Sequence, residues 1–300
     1  MQTIAWDRVI SERLRFGLAE RDTITTLGGS PASASHQEQE QEQALTMHRL
    51  TQQVVCCRLA EANLDGPMLV AVLNKACPAA PEDPATWRRF AALTSNIQRL
   101  AAFREEPWLN RRNYSWLVER LGVYLRRGPA GFAASRQYLE QAVAMDRADL
   151  GEEDPDTLTS MHNLANTLLA QGDFSGARAL HERVLEDRRR VLGEEDLDTL
   201  IAMNNLANTL RKQGDLSGAR ALHERVLEVR RRVLGEEQLQ TLESMNNLAN
   251  TLRAQGDLIG ARALQERVLE VRRRVLGEGH PDTLSAASNL SLILEALHAG

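Results

Sequence analysis

Apolar residues in the second half of the chain fall into two alternating helical patterns joined by Gly-Asp pairs. Leu158, Met161, Leu164, Ala165 and Leu168 recur at spacings of three and four, on one face of a helix that runs to Gln171. Phe174, Ala177, Leu180, Val184, Leu185 and Val191 form the apolar face of a second helix. Between the two, Gly172 is placed to end the first helix in a left-handed conformation and Asp173 to cap the second. Asp154 and Pro155 offer an N-cap followed by a first-turn proline, where a missing N–H costs no intrahelical bond.

The whole pattern recurs. LGEEDPDTL, LGEEDLDTL, LGEEQLQTL and LGEGHPDTL begin at Leu150, Leu192, Leu234 and Leu276, each start 42 residues after the last. The turn returns as Gly214-Asp215 and Gly256-Asp257. In the third unit Gln238-Leu239 replaces the cap and proline, which predicts a less sharply defined start. One such hairpin cannot bury its apolar face alone, so each must stack on the next. Ala165, Ala207 and Ala249 on first helices, with Ala177, Ala219 and Ala261 on second helices, allow the close approach. The expected fold class is an all-α, right-handed α-solenoid, preceded by a small winged-helix-like α+β segment.

NLANTLLAQGDFSGARALHERVLE resembles the tetratricopeptide repeat in its order of Leu-Ala, Gly and Ala within a helix-turn-helix. The 42-residue length, the Asn-Leu-Ala string and the LGEEDPDTL linker are similar to the kinesin light chain variety. This resemblance covers Leu150 to about Ala299. Upstream, Trp116 to Leu125 followed by Phe132 to Met145 forms a degenerate unit, with an extra turn residue and Ser135 where later units have Ala177. Downstream, Pro281 to His298 supplies only a first helix, so that end is either truncated or covered by another chain.

The first hundred residues carry no such echo. A helix over Ala5 to Phe16, strands at Gly17 to Thr25 and Ala44 to Met47 around a polar loop, and a helix over Thr51 to Asn63 make a winged-helix order. LTMHRLTQQVV (Leu45 to Val55) resembles the segment closing the winged-helix region of STAND/NB-ARC-type NTPases, and Pro78 to Trp87 fits the proline-rich stretch that follows it there. That resemblance implies a regulatory tail with an NTPase subunit as partner, since no G-x-x-x-x-G-K-[ST] loop exists in this chain. The expected divisions are 1–63 (winged-helix-like), 64–107 (helical linker), 108–149 (degenerate first repeat) and 150–300 (repeats).

Composition narrows the function. The chain has a net charge of −5 and only 4% aromatics, which gives no global basic surface for nucleic acid. Glu38, Glu40 and Glu42 in the wing-like loop would repel phosphate further. No signal peptide and no membrane-length apolar run is visible, so a cytoplasmic location and no membrane partner are expected. Cys56, Cys57 and Cys77 have neither metal-pair spacing nor an even count. His181 and His223 share a repeat register that Gln265 interrupts, the pattern of a groove-side or interhelix position tolerant of polar groups rather than of metal ligation. The arginine triples 188–190, 230–232 and 272–274 are expected to pair with the acidic turns on a solvated outer surface. No catalytic nucleophile and base stand together, and no enzyme, cofactor or metal is expected.

In the resembled repeat type the first helices line a concave groove that holds cargo peptides. There Asn163, Asn205, Asn247 and Asn289 recur at one register, and Asn166, Asn208 and Asn250 three residues further on the same face. These amides could hold the backbone of an extended peptide, or instead fix the stacking of neighbouring repeats. Arg211, Lys212 and Arg253 lie a turn beyond and suit acidic side chains on that peptide. The sequence thus predicts a non-enzymatic scaffold whose partner is a protein or peptide of acidic character.

Overall fold

The computed structural model describes residues 70, 73–78, 80–101, 106, 109–127 and 131–299. The chain divides into compact units at Gln53 and Val54, and all described residues belong to the second. The winged-helix elements expected over 1–63, with His48, Cys56 and Cys57, lie outside the described residues.

Among the described residues there is no strand. A short 3₁₀ turn, Pro84–Thr86, is capped by Asp83 and leads into α1 (Trp87–Leu100). Four hairpins follow: α2 (Arg111–Leu125) with α3 (Phe132–Leu150), α4 (Pro155–Gln171) with α5 (Phe174–Leu192), α6 (Leu197–Gln213) with α7 (Leu216–Leu234), and α8 (Leu239–Gln255) with α9 (Leu258–Leu276). A single helix, α10 (Pro281–Ala299), packs on α9. From α2 onward each helix packs on its sequence neighbours, giving an α-solenoid whose stability is built from adjacent contacts.

Helix ends follow local chemistry. Asp154 and Asp196 accept from Asp156 N and Asp198 N, whereas Gln238 makes no side-chain cap, yet α8 still begins in register. Its burial between α7 and α9 therefore sets the start that the cap does not. Gly172, Gly214 and Gly256 have φ of +83°, +94° and +86°, and the aspartate after each accepts from the backbone three residues on. That left-handed step is open to glycine at little cost.

Among the described residues the buried apolar side chains form three successive clusters along the chain. Leu158, Leu200 and Leu242, like Ala165, Ala207 and Ala249, are buried in successive units. The degenerate unit shows a compensated exchange. Allowing for its extra residue, Gly122 occupies the register of Ala165, and Leu139 that of His181. A Cβ on Gly122 would stand 2.6 Å from Leu139 Cγ, so the larger leucine is accommodated by the smaller glycine.

The arginine triples divide into three roles, which corrects the expectation of uniform outer-surface pairing. Arg188, Arg230 and Arg272 turn inward and donate to the carbonyls of Asp198, Gln240 and Asp282 in the first turn of the next helix. Arg230 is only 4% exposed and also donates to Ser244. Arg189 and Arg231 meet glutamates of the following turn, and Arg190, Arg232 and Arg274 reach back to Glu153, Glu195 and Glu237 of the turn before. A helix places three consecutive residues 100° apart, so one faces the neighbouring helix while the others remain in solvent.

Candidate peptide-binding face

Both asparagine ladders lie on the exposed side of the first helices, but the structure gives them different work. Asn163 donates to the carboxylate of Glu119, and Asn205 meets His162 Nδ1 at 3.4 Å. Asn247 donates to Asn204 Oδ1 and Asn289 to Asn246 Oδ1, each at 3.0 Å. Every rung joins one repeat to the residue preceding the ladder register in the repeat before. This ladder fixes stacking, through side chains rather than backbone. Its acceptors (Glu119, His162, Asn204 and Asn246) were not singled out in the sequence, although the last two are visible there as the first asparagine of two Asn-Asn pairs.

The second ladder splits. Asn166 meets His162 Nε2 at 2.9 Å. A neutral imidazole has one donor and one acceptor, so one of the two amides at His162 turns its oxygen to the ring. Asn208 and Asn250 are half-buried and make no side-chain hydrogen bond with any described residue. Because Asn204 and Asn246 give their oxygens to the first ladder, each has its NH₂ group left to offer. The middle repeats therefore present a strip rich in hydrogen-bond donors.

Cations continue this strip by helical spacing, with Asn204, Asn208 and Arg211 on one helix and Asn246, Asn250 and Arg253 on the next. Most arginines of the repeats pair with a carboxylate, as Arg178 does with Glu182 and Arg220 with Glu224. Arg211 and Arg253 form no ion pair with a described residue. Arg211 is half-buried with its Nε enclosed and unpartnered, and burial, then the charge of Arg253, lowers its pKa. Lys212 is exposed in the same turn. Arg126 stands at the same register in the degenerate unit, with an enclosed, unpartnered Nη1.

The other end of this face is of mixed charge. A cleft of about 870 Å³ there is lined by Lys75, Glu82, Arg112, Glu119, Arg120 and Asp146, among others. Burial pushes the Glu119 carboxyl up to about 7 against the lowering effects of Arg120 and Asn163. Arg120 stacks on Trp116, 4.1 Å from the ring centre, and Arg112 holds Asp156 at 2.8 Å.

The shared-register histidines are buried between helices. Thr209 donates its hydroxyl to Asn205 O, so the imidazole of His181 is the donor in its 2.9 Å bond to that hydroxyl. His223 repeats the arrangement with Thr251 at 3.0 Å. Ile293 replaces the threonine in the last unit, and Gln265 turns to Ala286 O instead. Burial pushes His181 down to about 3 and His223 to about 4, so both are neutral packing groups. Cys77 is buried and its thiol is pushed up to about 12 by burial. Among the described residues no group of three His, Cys, Asp or Glu could hold a metal ion, and no helix is long and apolar enough to cross a membrane.

This geometry, with stacked antiparallel hairpins joined by side-chain rungs, defines an α-solenoid of helix-hairpin repeats. Family models described as tetratricopeptide repeat match residues 157–198, 198–259 and 241–282, so these units are tetratricopeptide repeats. Among solved structures, a kinesin light chain-type protein of Podosopora anserina with nearly identical TPR-like repeats matches with a TM-score of 0.60 and 20% identity, over 71% of this chain and 99% of that one. BtubC (BKLC) from P. vanneervenii matches with a TM-score of 0.57 and 20% identity, over 72% of this chain and 85% of its own. The apo form of RapI matches with a TM-score of 0.58 and 11% identity, over 87% and 68%. At these identities the likeness speaks to fold. No curated protein matches the chain in sequence.

Proposed function

We propose that this chain is a non-enzymatic binding scaffold that holds an extended, acidic peptide on the first-helix face of its middle repeats. The observation that carries this reading is the donor strip: the unbonded amides of Asn208 and Asn250 beside two arginines without an acidic partner. An extended peptide offers backbone carbonyls at regular intervals, and its acidic side chains would meet Arg211, Lys212 and Arg253. The stacking ladder supports the reading by engaging the side-chain oxygens of Asn204 and Asn246, which leaves their NH₂ groups to donate. Match to tetratricopeptide models supports the scaffold class, while the ligand rests on the strip itself.

The test is a displayed random-peptide library selected against the full chain and against the Asn208→Ala/Asn250→Ala/Arg211→Gln/Arg253→Gln variant. Enrichment of Asp- and Glu-containing peptides is expected on the wild-type chain and should vanish on the variant. Equal enrichment on both, with the variant folded by circular dichroism, would overturn the groove assignment.

A further inference from the structure

Most arginines in these repeats are held within the protein, which makes the exceptions on the first helices informative. Arg178, Arg220 and Arg262 each hold a glutamate four residues on, at 2.7 Å. Arg183, Arg225 and Arg267 also pair with carboxylates, and the inward arginines each donate to a carbonyl of the next helix. Among the described residues Arg211 and Arg253, on first helices, and Arg273, at the end of a second helix, have neither kind of partner; only the first two share a face with the asparagines. They are equivalent residues of adjacent repeats, close enough for one charge to disfavour the other. Arg211 is also partly withdrawn from water, with Nε enclosed and unbonded. The chain as a whole is acidic at −5, so carboxylates were abundant enough in composition to neutralise this pair.

Two guanidinium groups at one register of adjacent first helices, which the Asn204–Asn247 rung holds together, with a lysine next to one of them, suit a ligand that carries more than one negative charge. A single carboxylate carries one charge and two oxygens, and can neutralise only one arginine. A phosphoryl monoester carries about −1.5 to −2 at neutral pH with three acceptor oxygens, enough to bridge both guanidinium groups. The amides of Asn208 and Asn250, one turn back on the same two helices, add neutral donors for the chain on either side of it.

We propose that Arg211 and Arg253, with Lys212, form a phosphoryl-binding subsite that selects a phosphorylated residue within the bound peptide. This deepens the peptide-binding reading and rests on it.

The experiment compares three labelled pools of degenerate peptides, identical except for a fixed central phosphoserine, aspartate or serine, by fluorescence anisotropy with the full chain. The phosphoserine pool should bind at least tenfold tighter than the aspartate pool. Arg211→Gln or Arg253→Gln alone should remove that advantage while leaving weak binding of the aspartate pool. Millimolar inorganic phosphate should compete only partly, because the peptide backbone adds its own contacts. Complete displacement by phosphate would mark a site for the free anion and overturn selection within a peptide. Equal affinity for the phosphoserine and aspartate pools would overturn the phosphoryl subsite and leave the acidic-peptide reading standing. Absence of binding by all three pools would remove both.

Discussion

Asn247 donates its side-chain amide to Asn204 across the junction of two repeats, at 3.0 Å. The same rung is made to a carboxylate at Glu119 and to an imidazole at His162, so the register tolerates several polar chemistries. Asn204→Ala removes the acceptor and leaves the half-buried Asn247 amide short of a partner. A loss of about 1 kcal/mol is expected in urea denaturation, with Asn204→Asp retaining most of it. If both substitutions cost the same, the rung is not what joins the repeats.

Acid should weaken the fold. Burial holds His181 at about 3 and His223 at about 4, and His162, with Arg188 and Arg126 nearby, is also pushed down to about 4, all from 6.5. Below about pH 6.5 the unfolded chain takes up protons that the folded chain refuses, so these histidines lose stability as pH falls toward 4. Glu119 acts in the opposite sense. Its folded carboxyl is raised to about 7, so its protonated form favours the fold at low pH and this contribution is lost as pH rises through 7. Between about 4.5 and 6.5 three histidines oppose one glutamate. Each net proton then costs about 1.4 kcal/mol per pH unit. Denaturation midpoints at pH 7.5 and 5 should differ clearly, and His181→Gln/His223→Gln should flatten the dependence, Gln265 being the natural precedent at that register. A wild-type midpoint that does not move would contradict the buried, neutral assignment.

Gly122 and Leu139 should behave as a coupled pair. Gly122→Ala places Cβ against Leu139 Cγ and is expected to cost about 1–3 kcal/mol by overpacking. Leu139→Ala alone leaves a cavity. Combined, the two should cost less than the sum of the single changes in a double-mutant cycle. Simple additivity would show that α2 shifts away without resistance.

Within one arginine triple the substitutions should rank by burial. Arg230→Ala removes a nearly buried guanidinium and its charge-assisted bonds to the Gln240 carbonyl and Ser244, which remain bonded to each other, with an expected loss of about 1–3 kcal/mol. Arg232→Ala removes only an exposed pair with Glu195, worth less than about 1 kcal/mol. Thermal unfolding of the two variants side by side checks the order, and a larger loss for Arg232 would reverse the assignment of roles.

Much of this architecture was legible before any coordinates. Hydrophobic spacing, the Gly-Asp turns and the 42-residue interval are local signals, because helix faces and caps depend on residues within one turn of each other. The cap at Asp154 and its absence at Gln238 were both visible in that way. Partners across repeats were less so. That Asn163 meets Glu119 depends on the extra residue in the turn after α2, which shifts the register between units by one.

By itself, then, the sequence determined the hairpins, their order and the face on which asparagines and arginines recur. Only the tertiary structure decided which of those polar groups are already engaged. Asn163, Asn205, Asn247 and Asn289 are taken by neighbouring repeats, and Arg188, Arg230 and Arg272 by helix ends, while Asn208, Asn250, Arg211 and Arg253 have no side-chain partner among the described residues. The physical reason is range. A helix face is set by bonds four residues long, but a side-chain hydrogen bond between residues 43 apart, such as Asn247 to Asn204, exists only once stacking has fixed the distance between two helices.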